Sequence, residues 1–190
     1  MNLSNRLLRN TAILLGIFTL IGVLYDYIKN YDNNVLNYKR ANEEFLKKNY
    51  EISLKLYTKV YNENKKNVFA IDGQARSLMR LKLYKEAEEK FKEVLKVDDN
   101  FISTYANLGI LYDTTGKYRK AIYFYDIAIS KDSQLVKGMG WLNRLLKNIQ
   151  FKPSSIKDRR DYLLKQYTLS PINRRFKNSE IDNLQPDFQK

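Results

Sequence analysis

Arg76 and Arg80 stand four residues apart, with Met79 beside them and Phe69 about two turns earlier. On a helix this spacing sets both guanidinium groups on one face next to an apolar floor, an arrangement suited to holding an acidic segment of a partner. Two arginines on a solvated helix face would show the same spacing, and the residues alone leave that reading open. Beyond this pair, reactive groups are scarce. The 190 residues include no histidine and no cysteine, so disulfide scaffolds, zinc clusters, haem ligation and the nucleophile systems built on imidazole or thiol are excluded. Seven glycines, with no GxxxxGK or GxGxxG among them, leave no phosphate-cradling loop. The expectation is a binding or scaffolding protein, with no enzymatic activity, no cofactor and no metal site.

Positioning such a face requires a fold, and the composition points to helices. Hydrophobic residues make up 44% of the chain and charged ones 29%, a balance that sustains a core, and only three prolines interrupt it. The formal net charge of +13 implies attraction to something acidic: nucleic acid, an anionic membrane surface or an acidic protein. The abundance of Asn, Lys, Ile and Tyr suits a gene from an AT-rich genome.

Between Arg9 and Asp26 the chain carries no charge, and Thr11 to Ile28 reads as one apolar stretch. As a helix it reaches about 27 Å, enough for a hydrocarbon core of roughly 30 Å with Arg9 and Asp26 at the interfaces. Tyr25, Tyr27 and Tyr31 would form an aromatic belt at the exit. A secretory signal would need small residues at a cleavage site, and Tyr25-Asp26-Tyr27-Ile28-Lys29 offers none. Residues 1–10 are read as a basic flank and 11–28 as a membrane anchor. Lys29, Lys39, Arg40, Lys47 and Lys48 follow it, against Arg6 and Arg9 before, which favours residues 29–190 on the cytoplasmic or stromal side.

The main part of the chain repeats with a period of 34 residues. Ala41, Ala75 and Gly109 share one register; Tyr50, Tyr84 and Tyr118 a second; Ser53, Ala87 and Ala121 a third; Tyr57, Phe91 and Tyr125 a fourth. Small residues at the first and third registers would let two helices approach closely, and the aromatics would fill the neighbouring holes. The copy with Tyr105, Leu108, Gly109 and Tyr112, then Gly116 and Tyr118, then Ala121, Tyr125 and Ala128 resembles the tetratricopeptide repeat family. The resemblance implies an all-α chain: a transmembrane helix, then a three-repeat solenoid over residues 34–135 (34–67, 68–101, 102–135), then capping helices over 136–168. The family's closing proline is replaced by Lys65, Asp99 and Ser133, and Asn37, Arg40 and Glu44 make the first copy more polar than the third.

After the repeats, Met139, Leu142, Leu145 and Leu146 could cover the open end of the array, with Trp141 among them. Ser155 and Asp158 form a capping-box-like start to a helix reaching about Tyr167, docked by Ile156, Leu163, Leu164 and Tyr167. Residues 169–190 are expected to form a loose tail.

In the tetratricopeptide family a concave groove binds segments of partner proteins. Its registers imply a lining of Val35, Tyr38, Asn42 and Phe45 from the first repeat, Phe69, Asp72, Arg76, Met79 and Arg80 from the second, and Ser103, Ala106, Ile110 and Asp113 from the third. Members that hold the carboxylate tail of chaperones use Lys, Asn and Arg at positions that are here Tyr38, Asn42, Gly73, Ser103 and Asn107, so that role is not implied. Anchor, repeats and the segments KGMGWLNRLLKN and SIKDRRDYLLKQ together resemble the tetratricopeptide proteins of cyanobacteria and algal plastids that assist photosystem I assembly. That resemblance implies a thylakoid-bound factor with photosystem I subunits or assembly intermediates as clients. A bacterial envelope scaffold for secretion or membrane-protein assembly is the alternative. A helical-repeat RNA binder is disfavoured, because most tyrosines sit at packing registers.

Overall fold

A computed structural model describes residues 3–29, 33–133, 137–138 and 155–177. Among these residues the chain forms eight α-helices and no strand: α1 (Leu3–Lys29), α2 (Asn33–Leu46), α3 (Tyr50–Glu63), α4 (Val68–Arg80), α5 (Tyr84–Val97), α6 (Ile102–Thr114), α7 (Tyr118–Lys131) and α8 (Ile156–Thr168). A short 3-10 turn, Pro171–Asn173, follows. From α2 to α7 each helix packs antiparallel-hairpin fashion on its neighbour, and α8 packs on α7. Helices α2, α4 and α6 also touch in series, forming one side of the stack.

The second helix of each pair buries a single stripe. Ser53, Tyr57 and Val60 in α3, Ala87, Phe91 and Val94 in α5, and Ala121, Tyr125 and Ala128 in α7 recur at i, i+4 and i+7 and are all buried. Their outer faces carry ordinary helix ion pairs such as Lys92–Glu88 at 2.6 Å. The first helices of the second and third repeats are more enclosed, burying ten residues each, whereas α2 at the end of the stack buries only Ala41 and Phe45 among its described residues. Every residue of α4 from Ala70 to Met79 is buried, polar ones included. The main core runs through the second and third repeats and takes in Ile156 and Leu163 of α8, whereas Ala41, Leu56 and Tyr57 of the first repeat form a separate, smaller cluster.

Small residues sit where rings come close. A Cβ built on Gly109 would lie well inside 3.0 Å of the Tyr125 ring, and one on Gly73 would overlap Tyr57 in the same way. Gly109 stands in the register of Ala41 and Ala75, both fully buried. Ser53 is buried because its hydroxyl donates to the Ala41 carbonyl at 2.9 Å and lies 3.3 Å from the Ser77 hydroxyl. Tyr50, Tyr84 and Tyr118 are only half-buried, at the starts of α3, α5 and α7.

The turns inside each pair repeat as faithfully as the helices. Lys48, Lys82 and Gly116 adopt φ of 66°, 63° and 76°. Each is followed by a backbone bond reaching five residues back: Asn49 to Glu44, Leu83 to Leu78, Lys117 to Tyr112. These are Schellman closures, and a left-handed residue is what they require; two of the three positions carry lysine where glycine would be unstrained.

Helix α8 starts as expected, with Ser155 accepting from the Asp158 N–H at 3.1 Å and Asp158 accepting from the Ser155 N–H at 2.9 Å. The stretch expected to begin a loose tail does not do so at first. Residues 169–177 fold back as a strap: Tyr162 donates its hydroxyl to the Arg175 carbonyl, Gln166 accepts from the Arg175 N–H at 2.8 Å, and Phe176 stacks on Tyr118 with ring centroids 4.4 Å apart. The aromatic side chain and these bonds offset the entropy that the polar composition suggested would keep the segment free. The expected cap over Met139, Trp141, Leu142, Leu145 and Leu146 lies outside the described residues.

Candidate functional site: the face formed by the first helices

Helices α2, α4 and α6 present the implied groove residues at matched heights, and their exposure grades along the stack. Val35 and Phe69 are 49% and 45% exposed, Tyr38 and Asn42 are half-buried, and Arg80 is exposed. Phe45, Asp72, Arg76, Met79, Ser103, Ala106, Ile110 and Asp113 are buried. The open part of the face is therefore the first two repeats, and the third contributes floor.

An edge-to-face aromatic series lines that open part. Tyr38 meets Tyr57 and Phe69 at centroid distances of 5.9 and 6.4 Å, and Phe69 meets Phe101 at 5.4 Å. Such pairs hold the rings in fixed orientation, so the exposed edge of Phe69 is a preorganised apolar feature.

Beneath it lies a polar network that spans all three repeats. Arg76 Nε donates to Asp72 Oδ2 at 2.8 Å, one helical turn earlier on α4. Arg76 Nη2 reaches the Tyr57 hydroxyl at 3.5 Å, and that hydroxyl donates to Asn42 Oδ1 at 2.6 Å. Thr104 of α6 donates to Asp72 Oδ1 at 3.2 Å, and the guanidinium carbon of Arg76 sits 4.8 Å from the centre of the Phe45 ring. Burial pushes the Tyr57 hydroxyl pKa up, with Arg76 opposing it, so the phenol stays a neutral donor.

This network corrects the expectation for Arg76. Arg76 and Arg80 do not offer two open cations, nor are both solvated. Arg80 is exposed, while Arg76 is 1% exposed and neutralised by Asp72. The physical reason is the i, i+4 carboxylate on the same helix, roofed by Phe45 and Tyr57. Spacing could have revealed the partner, because Asp72 precedes Arg76 by one turn.

Asp113 is likewise engaged. Arg159 of α8 grips it with two bonds, Nε to Oδ2 at 2.6 Å and Nη2 to Oδ1 at 2.8 Å, and Tyr125 donates its hydroxyl to Oδ2 at 3.2 Å. Arg159 is 2% exposed and also donates to the Phe176 carbonyl at 2.8 Å. Helix α8 thus closes the third-repeat end of the face. No local pattern announces a pair 46 residues apart, and Arg159, Thr104 and Phe101 were not among the residues the sequence singled out. Among the described residues no cluster of His, Cys, Asp or Glu could hold a metal ion.

No family model and no curated protein sequence matches the chain. Solved structures do. The Sgt2 TPR domain from Aspergillus fumigatus superposes with a TM-score of 0.54 at 16% identity, covering 74% of this chain and 86% of that one. MamA gives 0.53 at 15% identity, covering 87% and 90%. The first TPR of Spaghetti (RPAP3), bound to the HSP90 peptide SRMEEVD, gives 0.51 at 17% identity, covering 61% and 89%.

The fold is that of a tetratricopeptide-repeat array. Helices α2, α4 and α6 are its series of first helices. At these identities the likeness concerns the fold, and the client must be argued from the side chains.

Proposed function

We propose that this chain is a membrane-anchored scaffold that holds a segment of a client protein on the open face of its first two repeats, around Tyr38, Asn42, Phe45, Phe69, Met79 and Arg80. The observation that carries the reading is the exposed Phe69, buttressed by the Tyr38 and Phe101 rings on the side formed by the first helices. Anchoring is supported by α1: Arg6–Tyr27 is 22 residues long, apolar enough to cross a membrane, and none of its apolar window is buried against the rest of the chain. Leu7, Leu14, Phe18, Ile21 and Leu24 are all more than half exposed, a surface that water tolerates poorly and a hydrocarbon core accepts.

The HSP90 peptide bound by Spaghetti, SRMEEVD, ends in Glu-Glu-Val-Asp. We do not extend that ligand to this chain, whose buried groove arginine, Arg76, already has a carboxylate in Asp72. The finer reading is a client among photosystem I subunits or assembly intermediates, with the anchor in a thylakoid membrane and the array on the stromal face. Its support is the order of parts, anchor, repeats and then the SIKDRRDYLLKQ helix with its docked strap.

Phe69→Glu tests the groove, with Phe69→Leu and a melting curve beside it because the change also removes the ring contacts to Tyr38 and Phe101. Capture of photosystem I subunits from solubilised thylakoids should fall at least tenfold at equal protein abundance, on the order of 1.4 kcal/mol. Undiminished capture removes this face from the site. Absence of any chlorophyll-containing complex from the wild-type eluate overturns the photosystem assignment. Protease added to sealed stroma-side-out vesicles should digest the array, and full protection would reverse the topology.

A further inference from the structure

Neither the groove nor the buried ion pairs absorb the chain's positive charge. Six of its 34 basic residues belong to the far end of the array. Lys117, Arg119 and Lys120 at the start of α7 and Arg174 of the strap lie over aromatic rings, and the exposed Arg175 and Lys177 flank Phe176 of the same ring set in sequence. Lys117 and Lys120 both approach the Tyr112 ring, at 5.6 and 5.2 Å from its centre. Arg119 and Arg174 both lie over Tyr167, at 5.7 and 5.4 Å. Tyr167 in turn is 5.0 Å from Phe176, which stacks on Tyr118.

Among the described residues, only Lys117 of these six cations has a carboxylate partner, and Glu88 at 3.8 Å is already bonded by Lys92 and by the Tyr112 hydroxyl. The strap that carries three of them is built in place: Arg174 Nε donates to the Leu169 carbonyl at 3.1 Å and Nη2 to the Tyr167 carbonyl at 3.4 Å. At the tip of the loop so closed stands Ile172, 92% exposed, with Leu169 at 38%. An apolar tip beside clustered cations is the chemistry of a surface that meets a bilayer interface. The rings are poor platforms for bases, since cations or other rings already lie over Tyr112, Tyr118, Tyr167 and Phe176.

We propose that the start of α7 and the strap form a docking face for the anionic headgroups of a bilayer, with Ile172 entering the interface. The inference rests on the membrane anchoring proposed above, because α1 holds the array near a bilayer and raises the effective concentration of a weak contact. Three residues, 30–32, separate α1 from α2. Docking would pin the array at both ends, leaving the groove at a set height above the membrane.

The test uses the full chain carrying Ile172→Cys, the only thiol present, labelled with an apolar fluorophore. The protein is incorporated into nanodiscs of phosphatidylcholine, with or without phosphatidylglycerol, that contain nitroxide quenchers at headgroup depth. Quenching should be severalfold greater in the anionic discs and should fall to the neutral level on adding salt. Changing Lys117, Arg119, Lys120, Arg175 and Lys177 together to Gln should abolish the difference with melting unchanged; Arg174 is spared because it holds the loop. Equal quenching in neutral and anionic discs, or a response that survives the five substitutions, overturns the proposal. Elution of the chain apart from the discs refutes the anchor by itself, and the same label then reads out anionic against neutral vesicles added to the free chain. Indifference to both vesicles with a response to polyglutamate or single-stranded RNA would reassign the face to an acidic macromolecule.

Discussion

Removing Arg159 should release the end of the array. The Arg159–Asp113 pair is buried on both sides, at 2% and 6% exposure, and bidentate. Arg159→Leu leaves the Asp113 carboxylate enclosed with only the Tyr125 hydroxyl to solvate it, and breaking one side of such a pair costs about 3 to 5 kcal/mol. For a chain of this length each kcal/mol lowers Tm by about 2 to 4 °C, so a fall of about 6 to 20 °C is expected if the array melts as a unit. Asp113→Leu should cost a similar amount by removing the counter-ion of the buried guanidinium, which keeps its bond to the Phe176 carbonyl. The double variant leaves neither charge buried without its counter-ion, so its loss should be smaller than the two single losses added. Urea unfolding of the four proteins gives the coupling, and limited trypsin digestion at Arg160 and Lys165, present in all four, shows whether α8 and the strap detach first. A single-variant loss below about 1 kcal/mol, or a double variant as unstable as the two losses added, would refute the view that the pair is what seats α8.

Gly109→Ala should destabilise the array by urea titration although alanine is the better helix former by about 1 kcal/mol, because the added methyl meets the Tyr125 ring; stabilisation would contradict the close approach. Lys48→Gly and Lys82→Gly should each raise stability by up to about 1 kcal/mol, relieving left-handed backbone, and Gly116→Ala should do the opposite. Burial first, and then the hydrogen bond to Glu88, push the Tyr112 hydroxyl pKa far above its ordinary value near 10. Its protonated form is favoured by folding, so that contribution is complete below about pH 10 and declines as pH rises beyond it; denaturant midpoints at rising alkaline pH should drop less steeply in Tyr112→Phe.

The helical array was legible because its packing rule is periodic. Ala41, Ala75 and Gly109, or Tyr57, Phe91 and Tyr125, recur at the same spacing since each pair of helices poses the same steric problem. The groove was half legible: register places Phe69 and Tyr38 on one side, but register does not say that Asp72 takes up the charge of Arg76. The strap was read as a tail because its composition is polar, whereas its order comes from Phe176 and from backbone carbonyls that no side-chain pattern displays. Arg159 was invisible for a simpler reason. Its partner lies across a long connection, and only the folded chain brings them together.

The smaller apolar cluster of the first repeat has a dynamic consequence. In a linear array each unit is held only by its neighbours, and opening starts at whichever end is less well secured. Arg159 and the strap lock one end, so α2 and α3, with Ala41, Leu56 and Tyr57 as their cluster, form the end that frays. Val35, Tyr38, Asn42 and Phe45 lie on that helix pair. Half of the proposed client site is therefore made by the least stable unit of the chain, and capturing a client completes a local folding step. Association should carry the heat-capacity signature of that ordering, and amides of α2 should exchange fastest in the free array and slow the most when the groove is filled.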